Sequence, residues 1–236
     1  MKLNPGKILL LVLLFSFFSV LWANALYEKG ISNRKSSETV ETPEFRRLFF
    51  SNEMLETREE LSYECRSFLD RVEEDAVYFP IPESSYDKSL TVSYIDSWMA
   101  ERNYNGEGVH EGTDIMAGKN ARGLYPVLSI SDGVVTNIGW LEKGGYRVGI
   151  TSPNGVYFYY AHLESYACIK KGDDIKAGQL LGFMGDSGYG EEGTVGKFDV
   201  HLHFGIYSWD TGKEISVNPY YVLCALETKK LKYAYS

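Results

Sequence analysis

The chain contains four histidines, and each stands in a short segment in which an imidazole could do chemistry. His201 and His203 lie two residues apart in an alternating polar and apolar stretch, which predicts a β-strand with both rings on one face. His110 and Asp114 are separated by three residues in a second segment, and His162 follows a tyrosine-rich stretch. A hydrolytic zinc site usually takes three protein ligands and leaves one position for water. The residue types and their spacing therefore predict a metal site pinned between distant segments of the chain.

The elements that must position these side chains are short strands separated by glycine turns, which begin after Leu90. Short strands at close spacing indicate a mainly β fold, an antiparallel β-sandwich or sheet, here preceded by an N-terminal helix. In the strand that carries the histidine pair, Val200, Leu202 and Phe204 should face the core. The predicted strands are Leu124–Ile130, Gly133–Ile138, Tyr146–Thr151, Val156–Leu163, Gln179–Met184 and Val200–Tyr207.

Residues 1–26 have the pattern of an export signal. Lys2 and Lys7 precede an apolar run that ends in Ala23-Asn24-Ala25, as in a secretory signal peptide. The run is also nearly long enough for a single membrane span. The segment is therefore predicted to be either a cleaved signal peptide or an uncleaved membrane anchor, and in both cases the rest of the chain is exported.

Residues 27–83 read as a linker followed by a helical stalk. Apolar residues recur at three- and four-residue steps between Ser51 and Val77, and Phe79-Pro-Ile-Pro82 ends the helix because proline lacks the N–H that a helix needs. We expect this segment to be a stalk or regulatory helix outside the active core, and residues 84–236 to form the domain with the metal site. The apolar residues of the helix are Met54, Leu61, Cys65, Phe68, Leu69 and Val72.

Composition excludes some classes of protein. A net charge of −8 makes a general electrostatic attraction to nucleic acid implausible. The three cysteines, Cys65, Cys168 and Cys224, have no spacing typical of zinc or redox sites, so we expect them to be buried and unpaired.

Three segments together resemble the M23 peptidases, the lysostaphin and LytM type of zinc endopeptidase. They are His110-Glu-Gly-Thr-Asp114-Ile, Tyr160-Ala-His162-Leu and His201-Leu-His203-Phe, in the order typical of that family. Two turn segments and Asn218-Pro219-Tyr220 also look like the family, and the resemblance covers roughly residues 92–223.

The resemblance implies a role for each residue of these motifs. His110, Asp114 and His203 would bind Zn²⁺, and His162 and His201 would be the catalytic pair beside the metal. The substrates would be peptide stems or cross-bridges of bacterial peptidoglycan, cut in a groove walled by loops.

The sequence departs from the family pattern at two places. The segment Gly185–Val200 is longer than the usual loop before the histidine pair, so it should form a wall of the groove and affect which bond is cut. Gly205 stands where an acidic residue is frequent.

Two alternatives to an active peptidase remain: an inactive relative that acts as a scaffold or activator in cell division or sporulation, and a biotinyl- or lipoyl-type module, which the segment Ile169–Gly182 resembles. The latter needs no paired histidines.

We predict that replacing Ala25 with phenylalanine will block removal of the N-terminal segment, because signal cleavage requires small residues at this site. Mass spectrometry of both exported chains should then show a wild-type chain shorter by about 25 residues and a full-length Ala25→Phe chain. Equal full-length masses would mean that residues 1–26 are an uncleaved anchor. Recovery of both chains only inside the cell would contradict export.

Overall fold

The computed structural model describes residues 63–102, 108–209 and 214–236. Helix α1 spans Tyr63–Asp75, and helix α2 spans Pro219–Leu226 and continues into a 3₁₀ turn at Glu227–Lys229. Between and after them run short strands: β1 Glu83–Ser84, β2 Val92–Ser93, β3 Thr113–Ala117, β4 Pro126–Leu128, β5 Gly133–Leu141, β6 Gly145–Thr151, β7 Tyr157–Tyr166, β8 Asp174–Ile175, β9 Leu180–Met184, β10 His201–Ser208, β11 Ile215–Val217 and β12 Lys232–Tyr233.

Most of these strands form one ten-stranded sheet in which neighbouring strands are antiparallel. The order of hydrogen-bonded strands is β2-β3-β10-β7-β6-β5-β8. In addition, β11 pairs with β10, and β9 pairs with both β7 and β4. A short parallel pair, β1 with β12, lies outside this sheet. The mainly β, antiparallel fold predicted from the glycine-punctuated pattern is therefore confirmed. The six predicted strands are present, with ends that differ by a few residues.

Strand β10 lies inside the sheet, between β3 and β7. As predicted, Val200, Leu202 and Phe204 are buried on the core face, and Phe204 stacks on Phe158 of β7 with 6.4 Å between ring centroids. The opposite face of β10 is left to the histidine pair. Burial of one face fixes the register of the strand, because a slip of one residue would send every side chain to the wrong face.

Helix α1 packs against the sheet domain. Phe68 and Val72 belong to the same hydrophobic core as Phe158, and so do Phe79 and Ile81, which follow the helix. The predicted helical residues Met54 and Leu61 lie outside the described residues. The predicted domain boundary at residue 84 stays a prediction. A chain cut at this boundary would lose these contacts and the stability that they contribute.

Polar contacts also hold the end of α1. The carboxylate of Asp75 accepts hydrogen bonds from Ser152 Oγ at 2.5 Å and Asn154 Nδ2 at 3.0 Å, both in the turn that joins β6 to β7. Asp75 and Ser152 are buried, so these bonds satisfy groups that water cannot reach.

The described residues leave some predictions open and correct another. The predicted signal peptide or anchor, residues 1–26, lies outside them, and no helix within them is long and apolar enough to cross a membrane. Cys168 and Cys224 are unpaired as predicted, but the expected burial is wrong: Cys168 is exposed and Cys224 half-buried. Cys168 lies just after the end of β7, where the chain leaves the sheet for the surface.

We predict that a chain shortened to residues 84–236 will be less stable than one that begins at Tyr63. The shorter chain removes six buried apolar side chains, those of Phe68, Leu69, Val72, Ala76, Phe79 and Ile81. Each of the larger ones contributes about 1.5–3 kcal/mol, against a typical domain stability of about 5–15 kcal/mol. Thermal unfolding followed by circular dichroism should show a melting temperature lower by about 10 °C or more, or no cooperative transition. Equal melting temperatures would show that residues 63–83 are a separable stalk.

Candidate metal centre and groove

Three ligand-type side chains converge on the open face of the sheet. His110 Nε2 lies 3.1 Å from Asp114 Oδ1 and 3.0 Å from His203 Nδ1, and His203 Nδ1 lies 3.0 Å from Asp114 Oδ1. Among the residues that the structure describes, this is the group of three that could hold a metal ion. The structure thus brings together the three residues that the resemblance to the M23 peptidases implies as ligands.

The convergence follows from strand pairing. Asp114 on β3 is the direct cross-strand partner of His203 on β10, and such partners share a face with Cβ atoms about 4.5–5.5 Å apart. His110 reaches the same point from the segment before β3, where its backbone N–H donates to Ala100 O at 2.9 Å. The core-facing residues of β10 therefore hold these ligand-type side chains in place from the far side of the strand.

The geometry and chemistry of the three donors fit a zinc ion. Two ligands of a tetrahedral site with bonds of 2.0–2.1 Å are about 3.3 Å apart, close to the observed edges of 3.0–3.1 Å. Without a cation, the lone pairs of two neutral imidazoles and a carboxylate would face each other. Although burial opposes it, the neighbouring imidazoles of His110 and His203 hold the pKa of the Asp114 carboxyl well below its usual range, so the carboxyl is ionised.

Backbone carbonyls fix the tautomers of three histidines. The Nδ1 atoms of His110, His162 and His201 lie 3.0, 2.7 and 2.7 Å from the carbonyl oxygens of Ser97, Ser187 and Asp199. A carbonyl only accepts, so each Nδ1 must carry a proton, and Nε2 is the nitrogen left to present a lone pair. This arrangement is typical of metal-binding and proton-transferring histidines, whose second nitrogen is held by a fixed partner.

His162 and His201 lie beside the three-donor group and outside it. Their ring centroids are 4.7 Å apart, and that of His162 is 5.9 Å from that of His203. Burial holds the pKa of His162 well below its usual range, and the neighbouring imidazoles add to the effect. His162 also has a left-handed backbone, φ 60°, which is costly for a residue with a Cβ. A hydrogen bond from its N–H to Gly144 O at 2.8 Å helps to hold this conformation.

The histidines open into a groove of about 810 Å³. The long segment Gly185–Val200 lines one side with Tyr189 and Phe198, as predicted, and Phe198 contacts His162 edge-on at 4.7 Å between centroids.

The floor of the groove is made of tyrosine rings that lie over glycines. Tyr157 covers Gly149, and Tyr207 covers Gly205, where an added Cβ would come within 2.5 Å of the ring. Gly205, which departs from the family pattern, is thus the residue that lets Tyr207 lie flat. Tyr159 reaches Gly144 in the same way.

Sequence reasoning missed Gly112, which lies inside the first histidine motif. A Cβ at this position would come within 2.5 Å of Cε1 and 2.6 Å of Nε2 of His203, and within 2.8 Å of the Phe204 carbonyl. Only glycine therefore leaves room for the ring of His203. The glycine in His110-Glu-Gly-Thr-Asp114 was the available signal, although the sequence does not reveal what lies opposite it.

Comparison with known proteins identifies the family. The model of peptidase family M23 matches residues 108–219, which contain all four histidines. A solved structure from Ruminococcus gnavus ATCC 29149, provisionally described as the glycyl-glycine endopeptidase lytM, is 61% identical with a TM-score of 0.69, over 72% of this chain and 68% of that one. The chain belongs to peptidase family M23.

Two further relatives match this chain over a smaller share of their own length. The L-Ala–D-Glu endopeptidase of Bacillus subtilis is 44% identical over 151 residues, which are 63% of this chain and 43% of that protein. Lysostaphin of Staphylococcus simulans is 35% identical over 99 residues, 41% of this chain and 18% of that protein. The chain thus spans less than half the length of these relatives.

We predict that Gly112→Ala will weaken zinc binding by about 10- to 100-fold, the usual effect of disturbing the surroundings of a ligand, because the new methyl group must displace His203. Gly108→Ala is the matched control, since a Cβ there meets no atom closer than 3.8 Å. Competition with a chelator measures both affinities. Equal zinc affinity in the two variants would contradict the assignment of His203 as a ligand.

Proposed function

We propose that the protein is a zinc-dependent endopeptidase that hydrolyses peptide bonds in bacterial peptidoglycan. The observation that carries the proposal is the donor group of His110, Asp114 and His203 at the base of an open groove, with two further histidines beside it. Membership of family M23 supports a peptidase, and the named relatives act on L-Ala–D-Glu or glycyl-glycine bonds.

In this proposal His110, Asp114 and His203 hold the metal. When bound, Zn²⁺ would supply Lewis acidity for water and for the carbonyl that is attacked. Asp114 brings one negative charge to the ion, and its other oxygen, Oδ2, accepts from Arg102 at 2.5 Å, which fixes the carboxylate plane. The Ser97 carbonyl holds His110 so that Nε2 points at the site.

His162 and His201 act on protons in this proposal. Each has its Nδ1–H on a backbone carbonyl and Nε2 available, and burial lowers the pKa of His162, so each can accept a proton at Nε2 and return it to the leaving amine. Once protonated, they also favour negative charge on the attacked carbonyl oxygen. Phe198 excludes water from this side of the groove by packing on both rings.

The location of the substrate supports export of the chain. Peptidoglycan lies outside the cytoplasmic membrane, so residues 1–26 would act as signal peptide or membrane anchor, and residues 27–83 would connect that segment to the domain. We propose no role in nucleic-acid binding.

The second candidate function is an inactive relative that serves as a scaffold. Loss of metal ligands would favour it, but all three ligand-type residues and both adjacent histidines are present in this chain and meet in one place. Digestion of purified peptidoglycan with the zinc-loaded chain, followed by mass spectrometry of the fragments, decides between them. Released peptides support the peptidase, and an undigested sample supports the scaffold.

We predict that the histidine variants will separate metal binding from catalysis. His203→Ala and Asp114→Ala should lose zinc and activity together, because two remaining ligands hold the ion poorly. His162→Ala should keep zinc and its melting temperature while its turnover falls by about 100-fold or more. Zinc content beside peptidoglycan hydrolysis provides the measurement. Loss of zinc from His162→Ala would make His162 a ligand and overturn the assigned roles.

A further inference from the structure

The groove has an excess of positive charge at one side. Arg147 on β6 and Lys143 in the turn between β5 and β6 both line it. The acidic lining residues Glu111, Asp114 and Glu214 come from the segments around β3 and β11. The chain has a net charge of −8, yet neither of these two cationic side chains takes part in an ion pair among the described residues.

Arg147 has an unsatisfied donor. Its Nη1 atom is buried and has no hydrogen-bond partner among the described residues, while its backbone N–H donates to Tyr166 OH at 3.2 Å. The ion pairs found within the described ranges use other cations, namely Arg102, Arg122, Lys176 and Lys230. Burial of a charged donor without a hydrogen-bond acceptor raises the free energy of the folded chain. A ligand that supplies an acceptor to Arg147 would remove this cost.

The position of Arg147 relative to the metal centre follows from strand order. The residues that precede and follow Arg147 on β6 pair with Leu163 and Tyr160 of β7. Arg147 therefore lies beside Ala161 of β7. Ala161 in turn is the direct partner of His203 on β10. Two strand spacings separate Arg147 from His203, about 10 Å. An extended peptide advances about 3.3 Å per residue, so this distance corresponds to about three residues.

We propose that Arg147, assisted by Lys143, is a carboxylate-binding subsite that selects peptides with a free carboxylate within about three residues of the cut bond. The planar fork of a guanidinium binds a carboxylate through two parallel hydrogen bonds. A bridge made only of glycine offers no side-chain carboxylate, whereas a peptide with an L-Ala–D-Glu bond does. The subsite thus favours a glutamate-containing stem peptide over a glycine bridge. This inference rests on the proposed peptidase function.

The test uses a synthetic stem peptide with an L-Ala–D-Glu bond in two forms, with the glutamate carboxylate free or converted to the carboxamide. The wild-type chain loaded with zinc should cleave the free acid with a kcat/KM at least about 10-fold higher, the usual scale of a hydrogen bond to a charged group. In Arg147→Gln the two peptides should become nearly equal substrates, and Arg147→Lys should keep part of the preference because it keeps the charge. Arg122→Gln, a charge loss outside the groove, should retain the wild-type ratio.

Binding of the same two peptides to each chain, measured by calorimetry, separates this inference from the proposed function. If the wild-type chain cleaves nothing but binds the free acid more tightly in an Arg147-dependent manner, the subsite stands and the peptidase proposal fails. If peptidoglycan is digested but neither cleavage nor binding distinguishes the two peptides, the subsite is wrong. An equal loss for both peptides in Arg147→Gln, or a melting temperature lowered only in that variant, would mean that Arg147 supports the fold.

Discussion

The pairing of β3 with β10 is the constraint on which the rest of the site depends. It sets Asp114 opposite His203, and the buried face of β10 prevents the register from slipping. Three ligand-type atoms then meet at 3.0–3.1 Å, a separation that two neutral rings and a carboxylate do not favour by themselves. Packing of the core thus stabilises a cluster that a cation would complete, and metal binding should in turn stabilise the sheet.

The groove lies on the same sheet, and several features that form its surface reduce the stability of the fold. Tyrosine rings lie along the floor only because Gly149 and Gly205 carry no side chain, and glycine within a strand weakens the strand. His162 keeps a left-handed backbone beside them. These features add nothing to the core, but they clear space for an extended chain beside the histidines, which is the arrangement that a peptide substrate needs.

Short motifs and alternation predicted much of this structure. The two faces of β10 could be assigned because polar and apolar residues alternate without interruption, and six strands were located from their glycine boundaries. Strand β3 was missed, although it carries Asp114, because its five residues lie beside a histidine motif and lack a run of β-branched residues.

Other features depend on contacts between distant residues, which local patterns do not contain. Neither the fit of Gly112 against His203 nor the packing of α1 on the sheet can be derived from spacing. The same holds for Arg147, whose importance comes from a buried Nη1 atom that has no hydrogen-bond partner among the described residues.

We propose that one zinc ion binds to His110, Asp114 and His203. Anomalous diffraction from crystals of the zinc-loaded chain, recorded on both sides of the zinc absorption edge, tests it most directly. We expect one strong peak within about 2.0–2.2 Å of His110 Nε2, His203 Nδ1 and an Asp114 oxygen, with His162 and His201 outside bonding distance. A peak bonded to His162 or His201, or no peak between the three residues, would contradict it.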